Sequence, residues 1–389
     1  MFKKSLLGVA AGAALMASFA SHSASALEGK LDQYIFVPNR SSADVAIIDS
    51  RTDKVVATVP VGNVPHQVAV SETLGKMITS NTADNTISII DLRSLQEAIT
   101  VSLGNEPEHM EISPAGDTLA IGNIGEGTVS LVDLRGNKEV SRIAGLHEPH
   151  NMTFSSDGKK LFVGNLGANF MSVIDVDASK VVAELGVGEN QAIASLGTDE
   201  EHQGIINVTA TPDGRLGFAA YGDGDEMAVF DLNTQEKLAT VELGDSPWRA
   251  FATGNGKYMI VPNNGDETVS IFSTQAPFKE VARLEGSEDM TGVNTGWFDT
   301  TAFVIGRGSN SITVIDLEKM ENVGVIDIPG GTPETGVTTP DGTKLYVALS
   351  GTNEVAVIDT RSRKLIKKIT DVGDEPWGAH IVGALNYCH

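Results

Sequence analysis

The stretch Val45-Ala46-Ile47-Ile48-Asp49 decides the fold, because the same phrase, an alternating apolar strand ending in an acidic residue, returns along the whole chain. Eight copies occur, of which seven end in aspartate and one ends in serine. The copies are Val45 to Asp49, Ile87 to Asp91, Val129 to Asp133, Met171 to Asp175, Met227 to Asp231, Val269 to Ser273, Ile312 to Asp316 and Val355 to Asp359. Their last residues are 42, 42, 42, 56, 42, 43 and 43 positions apart, a period typical of propeller blades or solenoid repeats.

Each repeat contains four short segments with the period-2 alternation of β-strands, and no amphipathic helix pattern occurs after the N-terminal leader. A first strand follows a Gly-x-x-Pro phrase such as Gly62 to Pro65. Turns such as Asp157-Gly158 then lead to the second strand, because glycine readily adopts the positive φ that a tight hairpin needs. Strands alone at this period predict a β-propeller and not a helical solenoid.

The two ends of the chain predict how the ring closes. The first repeat begins with a second strand at Tyr34, whereas the C-terminus supplies an additional first strand, Pro376 to Val382. Pairing these strands would leave no long sheet edge exposed. We therefore predict an all-β protein, one eight-bladed propeller domain over residues 27–389 with four-stranded blades, closed by pairing N- and C-terminal strands.

The first 26 residues have the features of a secretory signal peptide. Lys3 and Lys4 precede the apolar run Leu6 to Ala20, and Ala24-Ser25-Ala26 supplies small residues for cleavage after Ala26. A retained membrane anchor is the alternative, which the short and interrupted apolar run disfavours. We expect a periplasmic or secreted protein with no membrane insertion after signal removal. Cys388 is the only cysteine, so no intramolecular disulfide is expected.

The chain is strongly acidic, with a formal net charge of −23 at pH 7. Such a surface repels phosphate backbones and anionic lipids, which argues against nucleic-acid and membrane partners. It suits cations or a basic protein partner, although an acidic surface that serves solubility alone explains the charge equally well.

The segment Lys54 to Gly62 followed by Pro65, together with Val45 to Asp49, resembles the YVTN-type (YncE-like) β-propeller repeat of secreted and surface proteins. The resemblance covers nearly all of the chain beyond the leader and implies the fold. With eight blades the chain is also similar to the tetrapyrrole-binding propeller of cytochrome-type nitrite reductases, in which His66 or His150 would by analogy be an axial ligand. No Cys-x-x-Cys-His haem attachment motif is present, so the resemblance does not extend to the complete nitrite-reducing enzyme.

Histidines collect where the loops and first strands of a propeller meet around the central channel. Six of the eight histidines lie there: His66, His109, His147, His150, His202 and His380. We predict a ligand-binding channel mouth formed by His66, His109, His150, His202, Trp248, Arg249, Trp377, His380, Glu108 and Glu334, with His66, His150 and His380 as candidate metal ligands. Imidazole suits Cu, Zn or Fe, so the expected cofactor is one of these metals or a tetrapyrrole.

Strand alternation limits this site. The residue after each loop proline, for example Glu108, should face opposite to the next one, His109, so the histidines would not all reach one ion unless the loops bend. The competing interpretation is that these side chains only pack between blades. The copies that end at Asp175 and Asp231 are 56 residues apart, and this longer interval adds a loop at 186–204. The loop is either a lid over the channel or a tolerated surface loop.

No nucleophile elbow, zinc-protease helix or phosphate-binding glycine loop is present, and we predict no catalytic residue. The sequence therefore favours a non-enzymatic ligand-binding or protein-interaction scaffold, whose partner would be a periplasmic redox or surface protein. The alternative is a metal- or haem-dependent periplasmic oxidoreductase or its accessory protein.

Overall fold

The computed structural model describes residues 27–96, 98–189, 193–196 and 203–383. Within these ranges the chain forms 31 strands in eight antiparallel sheets, seven with four strands and one with three, and no α-helix. The predicted all-β, eight-bladed propeller is confirmed. Four short 3-10 helices occur, at Leu31–Gln33, Thr82–Asp84, Ile124–Glu126 and Gly222–Gly224. No helix among the described residues is long and apolar enough to span a bilayer.

We number the blades in chain order, so that blade 1 contains β1 to β3, blade 2 contains β4 to β7, and each later blade takes the next four strands. The first strands are β4 (Pro65–Ser71), β8 (Pro107–Ile112), β12 (Pro149–Phe154), β16 (Thr209–Ala210), β20 (Phe251–Ala252), β24 (Met290–Gly296) and β28 (Pro333–Thr338). The second strands are β1 (Tyr34–Asn39), β5 (Lys76–Asn81), β9 (Thr118–Asn123), β13 (Lys160–Asn165), β17 (Leu216–Tyr221), β21 (Tyr258–Asn263), β25 (Thr301–Gly306) and β29 (Lys344–Leu349).

The third strands are the acid-ended phrases of the sequence. They are β2 (Asp44–Asp49), β6 (Thr86–Asp91), β10 (Thr128–Asp133), β14 (Phe170–Asp175), β18 (Glu226–Asp231), β22 (Thr268–Ser273), β26 (Ser311–Asp316) and β30 (Glu354–Asp359). The fourth strands are β3 (Lys54–Pro60), β7 (Ile99–Ser102), β11 (Lys138–Ala144), β15 (Lys180–Gly186), β19 (Glu236–Glu242), β23 (Glu280–Glu285), β27 (Glu321–Asp327) and β31 (Lys364–Ile369).

The terminal acid of the third strand stabilises the turn into the fourth. Asp91 Oδ1 accepts the backbone N–H of Arg93 at 2.8 Å, and Asp49 accepts that of Arg51 at 2.9 Å. Where the acid is replaced, Ser273 Oγ accepts the N–H of Gln275 at 3.1 Å. A short side chain that accepts a hydrogen bond from a backbone N–H two residues later favours a turn, which explains why the phrase ends in Asp or Ser.

Apolar clusters between neighbouring blades form the core. The cluster between blades 8 and 1 joins Ile35 and Ile48 to Tyr346 and Val357, all with no exposed surface. Outer strands alternate between exposed and half-buried residues, as in β11. Burial therefore lies mainly in the three inner strands of each blade, and stabilisation comes from blade-to-blade packing.

The C-terminal segment completes blade 1. Isolated β-bridges join Phe36 to His380 and Asn39 to Pro376, and the Trp377 N–H donates to Pro38 O at 2.9 Å. The ring is thus closed by pairing chain segments from both ends, as predicted, although the closing segment forms two bridges and not a continuous strand.

Candidate functional site

First strands of neighbouring blades contact one another around the channel, for example β4 with β8 and β8 with β12. The channel mouth is the end at which these strands begin. In blade 2, Pro65 pairs with Asn81 and Val68 with Thr79, so that His66 and Gln67 together oppose one residue. The same extra residue occurs after Pro107 and Pro149. Each of these strands therefore begins with a β-bulge, which locally disrupts the alternation of side chains.

The bulge brings together side chains that strict alternation would separate. His109 Nε2 lies 3.6 Å from Glu108 Oε2, and His66 Nδ1 lies 4.0 Å from Glu108 Oε1. Donor atoms of His66, Glu108 and His109 all lie within 4.8 Å of one another. The expected opposite orientation of Glu108 and His109 is therefore not observed. We call these three residues the mouth cluster.

The mouth cluster belongs to an arc of aromatic rings over blades 1 to 4. The ring centroids of Trp377 and His66 are 6.1 Å apart, those of His66 and His109 are 4.9 Å apart, and those of His109 and His150 are 3.7 Å apart. His150 Nδ1 also contacts Asn151 Oδ1 at 2.8 Å. Four of the predicted mouth residues thus form one continuous row.

Burial controls the charge of Glu108. Its side chain is 24 % exposed, and desolvation raises its pKa to about 7, which the Arg40 cation opposes and the Glu106 carboxylate reinforces. Arg40 stacks over the Trp377 ring with its guanidinium carbon 4.0 Å from the centroid. A carboxyl group beside two imidazoles is therefore poised to exchange its proton near neutral pH.

Two further histidines are held neutral by burial. Desolvation lowers the pKa of His150 to about 4, and the Arg249 cation contributes in the same direction. Desolvation also lowers the pKa of His380 to about 3. His380 lies at the ring closure, and of the three predicted metal ligands only His66 belongs to the mouth cluster; His150 touches it through His109.

The remaining predicted residues lie on other blades. In blade 6, the backbone N–H of Trp248 donates to Pro262 O at 2.8 Å. The guanidinium carbon of Arg249 lies 4.7 Å from the centroid of the Phe251 ring. In blade 8, the buried Glu334 accepts a hydrogen bond from Ser350 Oγ at 2.5 Å and lies 3.6 Å from Arg307 Nη1. These residues line other parts of the ring and do not join the mouth cluster.

The inserted loop is described only in part, and His202 lies outside the described residues. At the end of the loop, Gln203 Nε2 donates to Pro247 O at 2.8 Å, which ties the loop to blade 6. His147 packs against Phe170 with centroids 5.6 Å apart and takes no part in the mouth cluster.

Arg40 and Arg307 were not predicted from the sequence. Arg40 follows the second strand β1 and contacts Trp377 of the closing segment. Arg307 follows the second strand β25 of blade 7 and contacts Glu334 of blade 8. In a propeller the loop between the second and third strands opens at the end of the channel where the first strands begin. The position of Arg40 and Arg307 in such loops is the sequence signal that would have identified both residues.

Comparisons with known proteins agree with this architecture. The dihydro-heme d1 dehydrogenase NirN, solved in complex with DHE, is an eight-bladed propeller that superposes with a TM-score of 0.74 at 17% identity, covering 93% of this chain and 78% of that one. Hydrazine synthase of Kuenenia stuttgartiensis gives a TM-score of 0.57 at 20% identity, over 76% of this chain and 95% of that one.

A functionally unknown protein from Desulfotomaculum acetoxidans DSM 771 gives a TM-score of 0.59 at 14% identity, over 90% of this chain and 98% of that one. At such identities these structures show the fold alone. No curated protein matches the sequence. The sequence does match one family over residues 69–386, most of its length, and the chain therefore belongs to the YNCE-like beta-propeller family.

Proposed function

We propose that this protein is an exported, periplasmic, non-enzymatic propeller that binds a transition metal ion at its channel mouth. The observation that carries the proposal is the convergence of His66, Glu108 and His109 donor atoms within 4.8 Å of one another. The 1–26 segment serves as its signal peptide.

The donor set fits a borderline transition metal. Two imidazoles and one carboxylate suit Zn, Cu or Fe, whereas Mg and Ca prefer sets made of oxygen alone. A nearby cation would also offset the cost of keeping the Glu108 carboxylate charged in a desolvated position, a cost that its raised pKa reflects. The bound metal would remain accessible, since the Glu108 side chain keeps 24 % of its surface exposed.

A metal tetrapyrrole is the second candidate, supported by cations around the mouth. Arg40 lies against Trp377, and Arg307 keeps 36 % of its side chain exposed. Such groups suit the carboxylates that tetrapyrroles carry, and His66 would be the residue that holds the metal of the tetrapyrrole. NirN, a structure of similar fold, holds DHE. In this form the protein would act as an oxidoreductase, or as the accessory of a periplasmic redox or surface protein.

Metal analysis of the purified chain tests the leading candidate. We expect stoichiometric Zn, Cu or Fe, or uptake of one ion measured by calorimetry. His66→Ala, His109→Ala and Glu108→Gln should each weaken binding by about tenfold or more. His147→Ala removes a histidine from the same end without touching the cluster and should bind as the parent does. Equal binding by all four variants, or no uptake by the parent, would contradict the proposal.

Visible absorbance separates the two candidates. A tetrapyrrole-binding protein would show a shifted absorbance band after haem is added, and His66→Ala would abolish that shift. A metal-binding scaffold would show no such band and would still take up the free ion.

A further inference from the structure

The opposite end of the channel contains a cavity of about 480 Å³. It is formed where first strands end, by residues from blades 6, 7 and 8 and by Gly383 of the closing segment. This volume is in the range of small-molecule sites in proteins. The mouth cluster lies where first strands begin, so this cavity is a separate site.

The chemistry of the cavity wall selects the charge of a ligand. Its described lining has two carboxylates, Asp299 and Asp341, and polar groups such as Asn294 and Thr339, but no Lys, Arg or His. Among the residues that line the cavity, an anionic ligand would meet only like charge; Arg361 lies outside this lining, with its guanidinium carbon 4.9 Å from the centroid of the Trp297 ring. The net charge of −23 further favours cations over anions.

Both carboxylates are held in place through one oxygen. Asp299 Oδ1 accepts hydrogen bonds from Thr295 Oγ1 at 2.5 Å and from the Gly254 N–H at 3.1 Å. Asp341 Oδ1 accepts from Thr339 Oγ1 at 2.6 Å and from the Thr343 N–H at 3.0 Å. Among the described residues, none donates to the Oδ2 atom of either aspartate. These oxygens therefore remain available to an ammonium group.

An aromatic ring lies at the same cavity. Phe298 lines it and is 76% exposed, and its ring centroid is 5.2 Å from that of Trp297. The main chain of this turn is anchored to blade 8 by the Trp297 N–H, which donates to Gly342 O at 2.7 Å. Exposing a large aromatic side chain costs free energy that a ligand stacking on it would recover. Cations are attracted to the faces of such rings.

We propose that this cavity binds an organic cation carrying ammonium groups, with Asp299 and Asp341 as its carboxylate partners and Phe298 as its aromatic contact. This second ligand site lies at the other end of the same channel and is independent of metal or tetrapyrrole binding at the mouth.

Calorimetric titration of the full chain with spermidine, in about 0.15 M salt to screen non-specific attraction, tests the proposal. We expect one saturable site. Asp299→Asn keeps the oxygen that Thr295 and Gly254 contact, and it should weaken binding by about tenfold. Phe298→Ala changes an exposed side chain, so folding should be preserved, and binding should weaken by about fivefold.

The matched control is Glu242→Gln, which removes one charge from an exposed position on the outer strand β19. It should bind spermidine as the parent does, and so should His66→Ala. Absence of saturable binding would overturn the proposal, as would equal weakening by Glu242→Gln, or tighter binding of sucrose or citrate than of spermidine.

Discussion

The backbone N–H of Phe36 donates to the carbonyl oxygen of His380 at 2.8 Å, and the N–H of His380 donates to the carbonyl oxygen of Phe36 at 2.9 Å. This reciprocal pair joins the beginning and the end of the described chain. Ala379 and Ile381 flank it and are buried in the cluster shared with blade 8. The closing segment therefore supplies both hydrogen bonds and apolar burial to the ring.

Removing the closing segment should open the ring. We expect deletion of residues 376–389 to lower the free energy of unfolding by more than about 3 kcal/mol, since burial of Ile381 alone is worth about 2–5 kcal/mol. Urea unfolding followed by circular dichroism measures the loss. Ile366→Ala, at an exposed position of the outer strand β31, is the control and should change stability by less than about 1 kcal/mol. A loss on deletion no larger than that of Ile366→Ala would show that closure does not depend on this segment.

A second contact across the closure is made by Tyr346. Its hydroxyl donates to Asp53 Oδ1 at 2.5 Å, and Lys344 Nζ lies 2.8 Å from the same oxygen. Tyr346→Phe keeps the buried ring and removes only the hydroxyl, so we expect a loss of about 1–2 kcal/mol in urea unfolding. Tyr258→Phe, in a second strand away from the closure, is the matched control. A loss equal to that of the control would exclude a role for the hydroxyl in closure.

The repeats could be predicted because their signals are local. Alternation along Val45 to Asp49 and the turn chemistry of its last residue depend on neighbours in sequence, and even the exceptional Ser273 fills the same role. Blade number followed from counting the repeats, and closure followed from the strand predicted over Pro376 to Val382. The structure confirms the eight blades and the closure, although the closing segment forms two isolated bridges and not a continuous strand.

The arrangement of the mouth was harder to predict because it depends on a bulge. The pairs that occupy the bulges differ in type, as in His66-Gln67 and Glu108-His109, so no residue pattern marks the additional position. Alternation alone placed Glu108 and His109 on opposite faces. The stacking of Arg40 on Trp377 arises only once the ring has closed.

Stability should fall in acid through His380. Burial lowers its pKa to about 3 in the folded state, whereas an unfolded histidine titrates near 6.5. Between pH 6.5 and 3 the unfolded chain binds a proton at His380 that the folded chain does not bind. The contribution of neutral His380 to the free energy of unfolding is therefore complete above pH 6.5 and is lost as the pH falls toward 3. Between pH 6.5 and 5 the loss is about 2 kcal/mol.

The variant His380→Gln isolates this effect. Its free energy of unfolding, measured in urea at several pH values, should fall less steeply between pH 6.5 and 5 than that of the parent, by about 2 kcal/mol over the interval. Met259→Leu, a substitution at a buried position without an ionisable group, should retain the parent slope. Parallel curves for the parent and His380→Gln would show that His380 does not titrate in this way.

Arg40 should control the ionisation of Glu108. Its cation lowers the pKa of Glu108 against the effect of burial, which leaves the value at about 7. Arg40→Gln removes that charge, so we expect the pKa of Glu108 to rise above 7. Carbon-13 NMR of labelled glutamate side chains in the metal-free protein measures the titration, and Glu108→Gln assigns the signal. Arg51→Gln removes an arginine of the same blade that pairs with Asp49, and it should leave the Glu108 titration unchanged. A Glu108 pKa that stays constant or falls in Arg40→Gln would show that the two charges are not coupled across the closed ring.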